Sequence, residues 1–343
     1  RANPRAGGVA GPTPIRGSAP SRRKRSGGIV DSGDRVHDPK GMIPVSTAMI
    51  TAPARPVGHL GRAAAPRTAF VLAGGAAMGA MQAGMVLALY ERGVVPDLLV
   101  GTSVGALNAA FLASRPPTPA TARELAALWR GLRRHDVFPL RPRTLLSGLG
   151  GRRDHLVPSR GLRRLITRHV HLERIEHASV PLHIITCDLA SGQEVRLSAG
   201  PVADALLAAT AVPGLLPPVS WRGRLLADGG IANNTPLSHA LQLGAQRIYV
   251  LPTSDPDGPG PTRPPRAAVD AAVNAVTLLT NARLHHDLAR YRADAELVVL
   301  PAPNPRNIQI TDFGHAGELI ESALAAARTT LAAGQARGIL ALA

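Results

Sequence analysis

The chain has 343 residues, 45% of them apolar and 3% aromatic, with 35 Gly and 31 Pro, so a sizeable core is available but must be built mainly from Ala, Leu and Val. A single cysteine, Cys187, excludes an internal disulfide framework and a cysteine-rich metal site, and it fits a reducing, cytoplasmic compartment. The formal net charge of +16 is concentrated in two stretches, which argues against reading the whole chain as a nucleic-acid binder.

Residues 1–67 hold 12 Lys or Arg against 3 Asp, are rich in Pro, Gly and Ser, and show no sustained hydrophobic period; they read as a disordered basic tail. The basic run from Ser21 to Arg25 is followed by no apolar segment of the length a signal peptide needs, so a solvated tail is the expectation. Order begins near Thr68, and 68–343 reads as one domain. Thr68 to Leu72 is a short apolar strand that stops at Gly74 and Gly75, and a helix is predicted over 79–92, ended by Gly93. The uncharged length of 69–90 invites a transmembrane reading, but Gly74, Gly75, Gly79 and Gly84 interrupt it, and a buried strand plus a buried helix is preferred. The small-residue loop from Gly74 to Gly79 exposes backbone amides, suited either to a dinucleotide pyrophosphate or to the oxyanion of an acyl-transfer intermediate. The dinucleotide alternative needs an acidic residue ending the second strand, whereas Asp97 precedes that strand.

The second strand, 98–100, runs straight into Gly101-Thr102-Ser103-Val104-Gly105, a G-x-S-x-G between a strand and a helix beginning near Val104. A nucleophile on so sharp a turn needs small neighbours, which Gly101 and Gly105 supply. The helix N-terminus also favours a developing alkoxide on Ser103. Helices follow over 119–130, 202–209, 235–243, 267–292 and 316–333, with strands at 182–187, 247–251 and 297–300; the alternation predicts an α/β three-layer sandwich with a mainly parallel central sheet. Between them, an apolar run ends in Asp228-Gly229-Gly230, and a serine nucleophile needs a base such as Asp228.

The glycine loop, the serine elbow and the Asp-Gly-Gly turn, in this order, resemble the patatin-like phospholipases of bacterial type. The stretch from Ala209 to Pro218 and the strand and turn over 181–192 resemble the same family, so the likeness covers about 68–251. The resemblance implies a dyad in which Ser103 attacks an ester carbonyl and Asp228 takes its proton without a histidine. It assigns the oxyanion hole to the loop residues Gly74, Gly75, Ala76 and Gly79, and it implies a lipid or phospholipid ester as substrate. The chain departs from the family at Ala76, where Gly is usual, and at Met78, where Arg or Lys is usual. No cofactor and no metal are expected, since the dyad and backbone amides supply the chemistry and no His and carboxylate spacing of ligand type appears.

Other candidates carry less. His285, His286 and His315 lie downstream of Asp228, but two of them fall within a predicted helix. Asp188 reads as a turn cap and Cys187 as a packing residue. Residues 130–174 hold 12 Arg against Asp136, Asp154 and Glu173, interleaved with Leu145, Leu146, Leu149, Leu156, Leu162 and Leu165; this suits either a solvated helix and loop surface or the lip of a cleft that docks peripherally on anionic membrane. Nucleic acid is not expected, because Phe138 is the segment's single Phe, Tyr or Trp and aromatic stacking residues are otherwise missing from it. The alternative to a serine acyl hydrolase is a membrane-binding protein with a decayed active site.

Overall fold

The computed structural model describes residues 67–138, 154–255, 268–304 and 308–336. The tail expected over 1–67 therefore lies, but for Arg67, outside the described residues, as do Leu145, Leu146 and Leu149 of the arginine-rich segment.

Eight strands form a single sheet in which β1 (Thr68–Leu72), β2 (Leu98–Thr102), β3 (Leu182–Asp188), β7 (Arg247–Leu251) and β8 (Glu296–Val299) run parallel. β4 (Glu194–Leu197), β6 (Arg224–Asp228) and β5 (Val219–Trp221) join antiparallel at the β3 end. The mainly parallel sandwich is thus present. The antiparallel strands are absent from the sequence-based reading because β4 and β5 span only 4 and 3 residues, while β6 shows no alternation and reads only as an apolar run leading to Asp228.

Alternate residues of β1 face opposite ways, as strand geometry requires: Phe70 and Leu72 enter the larger apolar cluster, Ala69 and Val71 the smaller. Helices α1 (Ala80–Tyr90), α2 (Val104–Ala113) and α3 (Pro119–Gly131) cover the first face with the helices Val202–Ala209 and Ala316–Ala336. Leu237–Gln242 and Ala268–Tyr291 cover the other. All 11 residues of α1 are buried, which explains its low charge: it is apolar all round because it is covered on every side. Its predicted start is shortened by a 3-10 turn, Ala76–Gly79. Among the described residues no helix is long and apolar enough to cross a membrane.

β3 sets the geometry of everything that follows. Ile185 pairs with Thr102 of β2 and with Arg196 of β4, while Thr186 pairs with Asp228 of β6 and with Val195 of β4. β4 therefore holds one edge of β3, and β2 followed by β6 share the other. Asp228 occupies the place where β2 would continue had it not turned away after Thr102.

Candidate active site

Ser103 sits at that turn with φ 52° and ψ −126°, a sparsely populated conformation for a residue with a side chain. The surroundings tolerate no bulk. A Cβ on Gly101 would lie 2.6 Å from the Gly105 carbonyl, and one on Gly105 would strike the carbonyl of Leu72. Any side chain at either position would push the elbow off β1, so the two glycines fix how close α2 packs to the sheet.

Across the shared edge of β3, the Ser103 hydroxyl donates to Asp228 Oδ2 at 2.6 Å. The other carboxylate oxygen accepts the Gly230 amide at 2.8 Å, which orients it. Gly229 is glycine because a Cβ there would meet the Ile185 carbonyl. The loop beyond is tied back to the elbow: the Thr102 hydroxyl donates to the Asn233 carbonyl at 2.9 Å. Asp228 is 5% exposed, and burial pushes its carboxyl up to about 6, against the lowering effect of its bonds from Ser103 and Gly230.

The glycine loop lies over this pair. The Gly74 amide donates to the Asn234 carbonyl at 3.1 Å, and the Ala77 and Met78 amides to Ile310 and Gly75 carbonyls at 2.9 and 3.0 Å. Among the described residues nothing accepts from the amides of Gly75 and Ala76. The four loop residues therefore divide: Gly75 and Ala76 have free donors, Gly74 has its donor committed, and Gly79 serves packing, since a Cβ there would lie 2.6 Å from Val104 Cγ2. Ala76 has φ 47°, a left-handed conformation that explains why glycine is the easier residue at this point. Met78 is buried and receives Asn304 Nδ2 at 3.9 Å on its sulfur, so the position presents no charge to the site.

A buried chain of polar side chains, not foreseen from the sequence, clamps both ends of the loop. Gln82 Nε2 donates to the carbonyls of Ala73 and Leu251, each at 2.9 Å. Asn108 Nδ2 donates to Gln82 Oε1 at 2.8 Å and to the Gly79 carbonyl at 3.0 Å, and Trp129 Nε1 donates to Asn108 Oδ1 at 3.0 Å. Asn108 lies on α2, the helix that Ser103 opens, so Ser103 and the loop are held by one network. A single signal pointed to it: Gln82 is the lone polar side chain in an otherwise apolar helix.

An apolar cavity opens from Ser103 and Ala76, walled by Leu107, Phe111, Trp129, Leu162, Ile166 and Phe313. His169 is among its few polar neighbours; burial, with Arg168 and Arg115 nearby, lowers its pKa. His285 and His286 are exposed on Ala268–Tyr291, across the sheet, and His315 bonds Asp312 at 3.0 Å. None of the three contacts the pair. Asp188 accepts from the Ala190 amide and the Ser191 hydroxyl at 3.0 and 3.2 Å, a turn cap, and Cys187 is buried. Among the described residues no group of three His, Cys, Asp or Glu side chains could hold a metal.

A mainly parallel sheet with a serine at a strand-to-helix elbow, bonded to a buried aspartate below a glycine loop, defines an α/β protein of the serine-hydrolase class of sites. The family model described as patatin-like phospholipase matches residues 70–241, and the chain belongs to that family. An uncharacterized NTE family protein of Mycobacterium tuberculosis is 34% identical over 186 residues, covering 52% of this chain and 29% of the relative. A lysophospholipase, NTE1 of Mycosarcoma maydis, is 27% identical over 199 residues, covering 56% and 10%. The chain thus spans less than a third of the length of either relative. Among solved structures, VipD from Legionella pneumophila aligns with a TM-score of 0.38 at 14% identity, over 76% of this chain and 67% of that one.

Two outcomes follow from the loop. Gln82→Leu strands the Ala73 carbonyl in the core; stability is expected to fall by about 1–3 kcal/mol in urea titrations, and ester turnover on the order of tenfold in kcat with KM little changed. Ala76→Gly is expected to raise stability by roughly 1 kcal/mol in the same titration, because the left-handed backbone no longer carries a Cβ.

Proposed function

We propose that the chain is a serine acyl hydrolase that cleaves carboxylic esters of lipids, with Ser103 as nucleophile and Asp228 as base. The observation that carries this is the 2.6 Å hydrogen bond between Ser103 Oγ and Asp228 Oδ2 at the mouth of an apolar cavity. Family membership and the lysophospholipase named above support the lipid class of substrate.

In the first step Ser103 Oγ attacks the ester carbonyl while its proton passes to Asp228, and the oxyanion settles against the amides of Gly75 and Ala76. Such a donor contributes on the order of 3 kcal/mol to the barrier. Collapse expels the alcohol, which takes the proton from Asp228, and leaves an acyl group on Ser103. Water then gives a proton to Asp228 and attacks the acyl-enzyme; the acid leaves, and the proton returns to Ser103. The cavity holds the acyl chain, its apolar wall replacing water around the methylenes. Residues 130–174 bring the cavity to anionic membrane as a peripheral contact.

The base acts only when ionised. Its carboxyl, at about 6 in the folded chain, lies above the ordinary 3.8, so charging the buried group costs stability as pH rises from the unfolded to the folded value, and activity appears over the upper part of the same window. kcat/KM on a short p-nitrophenyl ester is expected to rise with pH to a plateau, with half-maximum near 6; a flat profile from pH 4 to 8 contradicts Asp228 as base. On the same substrate, Ser103→Ala and Asp228→Asn are each expected to lower kcat by at least about 10³-fold. Unchanged turnover in either variant defeats the dyad, and an inactive parent protein that still binds vesicles favours the decayed-site alternative.

A further inference from the structure

The helix Arg160–His169 has two faces with different tasks. Leu162 and Ile166 are buried and, with Leu165, wall the apolar cavity that begins at Ser103. Arg160, Arg164 and Arg168 recur every four residues on the exposed side, about 6 Å apart along the axis at 1.5 Å rise per residue. They line a separate groove against the short helix Arg134–Val137, together with His135, Asp136, Pro158, Gly161 and Leu165. Leu165 is common to both hollows, so the basic groove adjoins the apolar cavity.

The cations of this groove are unspent. Arg163, one step round the helix, is tied to Asp204 at 2.6 Å, whereas among the described residues none of Arg160, Arg164 and Arg168 is paired with a carboxylate. The one acid in the groove, Asp136, is committed: Oδ2 accepts the Arg133 amide at 2.8 Å and Oδ1 lies 3.4 Å from His135 Nε2. Three guanidinium groups without a carboxylate partner among the described residues are matched to phosphate oxygens, which such groups grip in bidentate fashion. No Phe, Tyr or Trp side chain among the described residues lines the groove, so a nucleic acid would find charge with little stacking.

We propose that this groove is a phosphate site for anionic phospholipids of a bilayer, with Arg160, Arg164 and Arg168 as its ligands. It narrows the membrane contact proposed above to three named side chains, and it rests on that reading for the lipid in the adjoining cavity. Binding at the groove places the cavity wall at the lipid surface, with Leu165 between head group and acyl chain.

The test is co-sedimentation of the full chain with vesicles of phosphatidylcholine, with and without phosphatidylglycerol. The parent protein is expected to bind only the anionic vesicles, and to be released as salt rises from about 0.1 M to 1 M and the screening length falls from about 10 Å to 3 Å. Substituting Arg160→Gln, Arg164→Gln and Arg168→Gln together is expected to weaken that binding on the order of 100-fold. Arg163→Gln, outside the groove, leaves it unchanged. Equal binding to both vesicle types, triple-variant binding equal to the parent's, full competition by millimolar inorganic phosphate, or retention of RNA in place of vesicles each overturns the proposal. Should the triple variant fail to fold, as a lost thermal transition would show, lipid and salt dependence of the parent protein decide. Turnover of a soluble p-nitrophenyl ester by the parent reports on the hydrolase reading separately.

Discussion

Two strands from distant parts of the chain end on one edge of β3, and the site depends on that meeting. Ile185 and Thr186 are consecutive, so their partners Thr102 and Asp228 are brought side by side although 126 positions separate them in sequence. β2 must leave the sheet after Thr102 to make room, which is what forces Ser103 into its positive-φ turn and opens α2 directly behind it. The strain at one residue, the hydrogen bond to Asp228 and the close approach at Gly101, Gly105 and Gly229 are consequences of a single packing constraint.

The loop above the pair is governed by a different force. Its free donors at Gly75 and Ala76 are useful only if they are held still, and backbone amides without partners would otherwise rotate to find them. Gln82 and Asn108 prevent this by binding the carbonyls at either end of the loop, with every polar atom of the amide groups engaged. The same clamp reaches α2, so displacement of the loop would be felt at Ser103. Ala76 keeps its left-handed conformation against a Cβ penalty, which indicates how strongly the surroundings determine it.

Much of this was legible beforehand where a residue type leaves little choice. G-x-S-x-G between a strand and a helix marks Ser103, and the glycines after Asp228 mark a tight turn at a strand end. The strand at 247–251 and the helix at 202–209 agree with the observed bounds because each is a clean apolar run between turn signals. What stayed hidden depends on contacts far apart in sequence. β4 and β5 are too short to show a period, β6 has no alternation, and the pairing of β3 with two strands on one edge cannot be read from any one of them. The Gln82–Asn108–Trp129 clamp is invisible because each member sits alone in an apolar helix face. The arginines of Arg160–His169 were visible as charge, whereas their separation from the leucine face appears only once the helix is formed.

The central claim is that Asp228 activates the Ser103 hydroxyl as its base. Reaction with a fluorophosphonate, followed by intact-mass and peptide mapping, tests it most directly. One adduct on the peptide carrying Ser103, formed slowly or not at all in Asp228→Asn, is the result expected. An adduct on another residue, or labelling of Ser103 at the parent rate in that variant, contradicts it.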